Sequence, residues 1–263
     1  MIVFIDCKLC KRAGWDQLVF ILFFIHIKHF KSFIDRKDVV KIEQSEYILN
    51  HPAYKYALDV VSGKSPAGEY IVKECKKFLK DLDNEDSKYF LNEDDLKLID
   101  EFLKLVKMSD GHRVGMTAYD SLAPFQWYFL ANTLAWKYKE NPNKRRYQKS
   151  VLLIGRKNGK TFLVGLIFIL LLLMEPNFSE FYSVAPDKQL STIIKEEMGK
   201  MIAVSPDLSD AFDVLRSEIR CGLTTSKMVP LANSDGRLDG KQLIKIFLPS
   251  LNRAKSVKIY FTF

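Results

Sequence analysis

Seven consecutive residues, Gly155-Arg156-Lys157-Asn158-Gly159-Lys160-Thr161, hold the densest chemistry in this 263-residue sequence. A nucleoside triphosphate presents a compact chain of negative oxygens. Backbone N–H groups wrapped around the β-phosphate, the positive end of a helix, and a lysine reaching the β/γ oxygens hold such a chain well. A glycine ahead of the lysine lets the backbone come close. A hydroxyl behind it can ligate Mg²⁺. Gly159, Lys160 and Thr161 match those three roles in order. The usual spacing is G-x-x-x-x-G-K-[ST], which asks for glycine at 154. The sequence has Ile154 there, and Gly155 comes one place late.

Such a loop works only between a strand that leads in and a helix that leads out. Ser150–Gly155 (SVLLIG) is a short apolar run of the kind that forms a fully buried parallel strand. The apolar stretch to about Met174 follows as a helix. Phe181–Ala185 reads as a second strand, Pro186–Asp187 as a turn, and Gln189–Val204 as a helix. Strand, loop, helix, strand, helix predicts an α/β fold with a parallel sheet, flanking helices and right-handed crossovers. Glu218–Arg220, Met228–Leu231, Leu243–Phe247 and Val257–Phe263 are shorter β-like runs.

Ahead of this core, Pro52–Ser62 reads as a short helix, and SGKSPAG (Ser62–Gly68) breaks it. Ile71, Cys75, Phe78, Leu79 and Leu82 recur at helical spacing. Asn92 with Asp95 suggests a capping box opening a helix whose face carries Leu96, Ile99, Phe102, Leu103 and Val106. Pro124–Lys139 reads as an aromatic-rich helix, followed by a turn at Asn141–Asn143.

Composition bounds the function. The chain is 48% apolar and 27% charged, an ordinary balance for a chain with a sizeable core. Its net charge of +8 favours polyanionic partners. Seven Lys or Arg residues and no acid lie between Asn141 and Lys160. Lys144 and Lys149 read as a solvated face; Arg156 and Lys157 lie inside the loop, where an arginine could stabilise charge on a transferring phosphoryl group. Cys7, Cys10, Cys75 and Cys221 form no disulfide framework, and Cys7-x-x-Cys10 lacks the second pair a structural zinc needs. The apolar runs Leu18–Ile27 and Leu163–Met174 fall short of about 20 residues, so no membrane span is expected. Residues 1–40 leave three readings open: an edge strand, a disordered arm, or sequence foreign to the domain behind them.

RKNGKT behind a hydrophobic strand resembles the deviant Walker A motif of the large terminase subunit of tailed phages, where a basic residue and a missing first glycine are usual. HPAYKYALDVVSG, PFQWYFL, RRYQKSVLLIGRKNGKT, FYSVAPDKQLS and LANSDGRLDG are similar to successive segments of that family, over roughly residues 47–240. The resemblance implies the ATPase of a motor that drives double-stranded DNA into a procapsid in the host cytoplasm, with the phage portal and small terminase subunit as partners and a homo-oligomeric ring as assembly. It implies ATP and Mg²⁺ as cofactors. By matching position, Gly155, Lys157, Asn158 and Gly159 form the phosphate loop, Lys160 contacts the β/γ-phosphates, Thr161 holds Mg²⁺, Arg156 senses or stabilises the γ-phosphate, and Gln126 approaches the base. The expected division is an uncertain segment (1–46), a helical leader (47–120), a partial ATPase core (121–240) and an atypical tail (241–263).

The family's strand ending in Asp-Glu is expected just after Gly240, but Lys241–Phe263 contains no acid. The chain is therefore expected to be truncated or out of frame after Gly240, without the family's nuclease domain, and to bind ATP while hydrolysing it very slowly. Two other readings stay open: another P-loop enzyme, such as a helicase or nucleotide kinase, and a non-catalytic basic DNA-binding or inactive prophage remnant.

Overall fold

The structure, a computed structural model, describes residues 45–111, 113–155, 157–185, 188–232, 244–247 and 256–262. The chain divides into two compact units, Met1–Lys41 and Ile42–Phe263, and all described residues lie in the second. The readings of residues 1–40, of Cys7 and Cys10, of Leu18–Ile27, of Pro186–Asp187 and of Arg156 fall outside the described residues.

The second unit opens with helices α1 (Glu46–Asn50), α2 (Pro52–Val61) and α3 (Glu69–Asp83), strand β1 (Tyr89–Leu91), helices α4 (Glu93–Leu105), α5 (Ala118–Ser121) and α6 (Pro124–Leu134), and strand β2 (Trp136–Tyr138). Leu96, Ile99, Phe102, Leu103 and Val106 are all buried, as the helical period required. The cap on α4 is half of a capping box. Asn92 Oδ1 accepts from the N–H groups of Asp94 and Asp95. The Asn92 N–H donates to the Ala135 carbonyl instead of to Asp95. Asp95 is turned inward and pairs with Lys137 at 2.9 Å; burial pushes its carboxyl above the usual range.

The expected helix 124–139 is shorter than its composition suggested. It ends at Leu134, and Trp136–Tyr138 pairs antiparallel with Tyr89–Leu91. Aromatic pairing decides the change: Tyr138 packs edge-on against Tyr89, and the fully buried Trp136 packs edge-on against Phe78.

The remaining elements are β3 (Lys149–Gly155), α7 (Lys160–Met174), β4 (Glu180–Ala185), α8 (Lys188–Val204), α9 (Pro206–Ser209), β5 (Phe212–Val214), β6 (Ile219–Cys221), β7 (Ser226–Ala232), β8 (Ile244–Phe247) and β9 (Ser256–Thr262). The sheet order is β3-β9-β8-β4-β7-β6-β5. Strand β4 is parallel to both β7 and β8. Strand β9 is antiparallel to β8 and β3. Two reversals restore direction, so β3, β8, β4 and β7 all end at one edge of the sheet. This is the α/β fold with flanking helices that the alternation predicted, with a parallel centre.

The expectation of a fully buried parallel strand at Ser150–Gly155 is corrected. Strand β3 stands last in the described order and pairs antiparallel with β9, and Val151 and Leu153 are 52% and 53% exposed. With a hydrogen-bonded neighbour on one side alone among the described strands, an apolar run no longer implies burial on both faces. Helix α7 carries the burial instead: Phe162 through Leu173 are buried throughout. At Gly165 it meets α8 so closely that an added Cβ would lie 2.6 Å from Met201 Cε. At about 22 Å this helix fills a core, and among the described residues no helix is long and apolar enough to cross a membrane.

The basic run after Asn143 divides between solvent and ion pairs. Lys144 and Lys149 are exposed, as expected. Arg145 is buried and pairs with Glu175, and Arg146 pairs with Asp81.

Candidate phosphate-binding loop

Strand β3 ends at Gly155 and helix α7 starts at Lys160, so the loop is the four-residue connection between them. Two of its residues are left-handed: Lys157 at φ 66° and Gly159 at φ 68°. Gly159 is the N-cap of α7 and offers no side-chain acceptor to the first turn. The opening N–H groups of a helix have no partner within it, and they carry the positive end of the helix dipole. A fifteen-residue apolar helix thus presents its positive end at the loop without a capping carboxylate or hydroxyl on its N-cap residue.

Glycine is needed at 159 for two reasons. Its φ is one that residues with a side chain rarely adopt. An added Cβ would also lie 3.0 Å from Gln126 Nε2. Gly159→Ala is expected to lower unfolding free energy by about 1–2 kcal/mol, from left-handed strain plus the close contact. Urea unfolding checks this; an unchanged midpoint would show that the loop does not hold this backbone.

The side chains follow from the backbone. Lys160 folds back, and its ammonium donates to the Gly155 carbonyl at 3.3 Å. Thr161 follows in the first turn of α7, half-buried. Lys157 and Asn158 are exposed at the tip. Gly155 lies against Asn158, whose Nδ2 would be 3.3 Å from a Cβ at 155. The structure thus brings Gly155, Lys157, Asn158, Gly159, Lys160 and Thr161 together. Gln126 joins them from a distant stretch of chain: its Nε2 lies 3.5 Å from the Asn158 carbonyl.

At the sheet edge that carries this loop, β3 ends in Ile154-Gly155, β4 in Val184-Ala185, β7 in Leu231-Ala232 and β8 in Ile246-Phe247. None of these described strand ends is a carboxylate. Strand β8, the parallel neighbour of β4, falls within the acid-free stretch that begins at Lys241.

A family model described as terminase large subunit, ATPase domain, matches residues 124–263, more than half of the chain. The chain belongs to this family. The match includes α6, the loop, and the sheet through β9, so the terminase ATPase region spans Gln126 and Lys160 alike. A solved structure, the crystal structure of the HK97 bacteriophage large terminase, is similar at 21% identity with a TM-score of 0.44; the match covers 58% of this chain and 30% of that one. No curated protein matches the sequence.

Sequence reading missed a second polar cluster in the helical region. His51 and Asp100 are both buried, and His51 Nε2 lies 3.2 Å from Asp100 Oδ1. Tyr47 donates to the other Asp100 oxygen. His51 Nδ1 accepts from the Ala53 N–H at 3.2 Å, which caps α2 and fixes Nε2–H as the donor to Asp100. Its one sequence signal is His51 ahead of Pro52, a cap position followed by a first-turn proline. The cluster ties α1 and α2 to α4 and serves the fold.

Proposed function

We propose that this chain is the ATP-binding part of a phage DNA-packaging motor and that Gly155–Thr161 takes the triphosphate of Mg-ATP. The observation that carries the reading is the left-handed Gly159 at the uncapped start of α7, with Lys160 and Thr161 as the first two helical residues. These residues fit the group. The N–H groups of the loop and first turn would surround the β-phosphate. Lys160 would exchange the Gly155 carbonyl for β/γ oxygens. Thr161 would offer its hydroxyl to Mg²⁺, which neutralises phosphate charge when bound. Lys157 would add positive charge at the tip, and by the family resemblance Arg156 would sense or stabilise the γ-phosphate. Double-stranded DNA, a portal, a small subunit and a ring assembly belong to this proposal through the family.

Hydrolysis needs a group to orient and deprotonate water, and none of the described strand ends at this edge is a carboxylate. The purified chain is expected to bind Mg-ATP and to release phosphate no faster than about 10⁻² of a typical enzyme rate of roughly 10 per second, the loss of a general base being worth about 10²–10⁴. Single-turnover phosphate release with and without double-stranded DNA checks this. Turnover at a full motor rate would overturn it.

A further inference from the structure

We propose that two copies of this chain pair edge to edge through β3, and that Lys149 of each copy then reaches the phosphate loop of the other. This pairing deepens the nucleotide reading and rests on it for ligand class. Among the described strands the sheet has two outer members, β3 and β5. An outer strand presents unpaired backbone N–H and C=O groups, and such edges are normally blunted by shortness, a charge or a proline. Strand β5 is blunted in this way: it is three residues long, with the exposed Asp213 at its centre. Strand β3 is not. It is seven residues long, has no proline, and carries its one charge, Lys149, at the end. On its open face Val151 and Leu153 are both exposed, and no described strand pairs with its outer side.

The occupant that fits this edge is a second β3. Directly opposed residues of an antiparallel pair lie on one face of the sheet. A two-fold axis through Leu152 opposes all seven residues, with Val151 against Leu153 of the other copy and Lys149 against Gly155. Shifting the axis by one residue leaves two residues of each strand unopposed and breaks the valine–leucine contact. Opposed positions lie about 5 Å apart and diagonal ones about 7–8 Å, within reach of a long side chain. Lys149 would therefore stand where the other copy's β3 enters its loop, beside the polyphosphate that Lys160 holds. Without an anion it would meet the exposed Lys157, and like charges oppose pairing. Bound triphosphate reverses that sign. Mg-ATP should then promote the pair, and by linkage the pair should bind Mg-ATP more tightly. The contact is isologous and closes at two copies; a ring would need a heterologous contact on other surfaces.

Sedimentation velocity of the full chain over a range of concentrations, without ligand, with Mg-ATP and with Mg-AMP, reads the pairing. Calorimetric titration at the same concentrations reads ATP affinity. A two-copy species should grow with concentration, and grow further with Mg-ATP but not with Mg-AMP. Val151→Lys combined with Leu153→Lys charges the open face and should keep the chain single throughout. Val151→Thr with Leu153→Thr keeps β-propensity and is the milder form, expected to weaken the pair. Lys149→Ala should lower ATP affinity about tenfold at concentrations where the unaltered chain pairs, one charge-assisted hydrogen bond. At dilutions where both are single, the two should bind alike, which separates a lysine acting on the other copy from one acting on its own. A chain that stays single with and without Mg-ATP overturns the pairing, and so does a pair that survives both double substitutions. An equal effect of Lys149→Ala at every concentration overturns the role of the second copy. If the unaltered chain binds no Mg-ATP, the nucleotide reading fails. Sedimentation then decides the edge contact alone: pairing abolished by Val151→Lys with Leu153→Lys supports it, and no pairing overturns it.

Discussion

Lys160→Ala is expected to weaken Mg-ATP binding by roughly 10- to 100-fold while leaving the fold intact. A charge-assisted hydrogen bond contributes about 1.5–3 kcal/mol, and each 1.4 kcal/mol is tenfold in affinity. In the free chain the half-buried lysine donates to the Gly155 carbonyl at 3.3 Å. Losing that hydrogen bond should cost about 0.5–1.5 kcal/mol of unfolding free energy, which leaves the fold intact. Calorimetric titration and thermal melts read the two quantities separately. The variant also separates the rival readings. A basic remnant that holds DNA by diffuse charge would keep most of its salt-dependent DNA affinity and lose nothing specific to nucleotide. Equal ATP affinity in the two proteins would remove Lys160 from the site.

Arg146→Ala should carry the largest cost to stability, about 3–5 kcal/mol, the range for removing one partner of a buried ion pair. The Arg146 and Asp81 side chains are 7% and 19% exposed. The guanidinium also lies over three rings, with its Cζ 4.3 Å from the centre of Tyr89 and 4.9 Å from those of Trp136 and Tyr147. Its loss leaves Asp81 without that charge and opens the aromatic cage that holds β1, β2 and α3 together. Arg146→Lys should recover part of the loss, because the charge returns and the planar stacking does not. Lys144→Ala, at an exposed neighbouring position, should stay within about 0.5 kcal/mol. Urea unfolding of the three variants checks the ranking. If Arg146→Ala and Lys144→Ala cost the same, Arg146 is a solvated charge after all.

That contrast shows where sequence stops informing. Lys144, Arg145, Arg146 and Lys149 look alike in a charge count; their fates depend on Glu175 and Asp81, which lie 30 and 65 residues away in the chain. The helices were legible because their apolar stripes repeat locally: Leu96, Ile99, Phe102, Leu103 and Val106 are buried where the period placed them, whereas in α3 Cys75 and Phe78 are buried and Ile71 is exposed. The end of α6 was not, because β1 supplies the partner for Trp136–Tyr138 and pairing of distant segments leaves no local period. For the same reason β3 read as central. Its apolar residues name a strand, while its neighbour β9 begins about 100 residues later. In the site, Gly159, Lys160 and Thr161 were legible from residue type and order alone. The 32-residue reach of Gln126 to Asn158 was not, since an amide contact to backbone has no sequence signature.

The most direct test of the central claim is a thermal melt of the unaltered chain at rising Mg-ATP, with Mg-AMP as the control. A ligand held at 100 times its dissociation constant stabilises a protein by about 2.7 kcal/mol. In a domain of this size that raises the melting temperature by roughly 5–10 °C. The triphosphate reading predicts that rise for ATP and a much smaller one for AMP, which lacks the β- and γ-phosphates. Melting curves that coincide with and without ATP, or that respond equally to AMP, would contradict it.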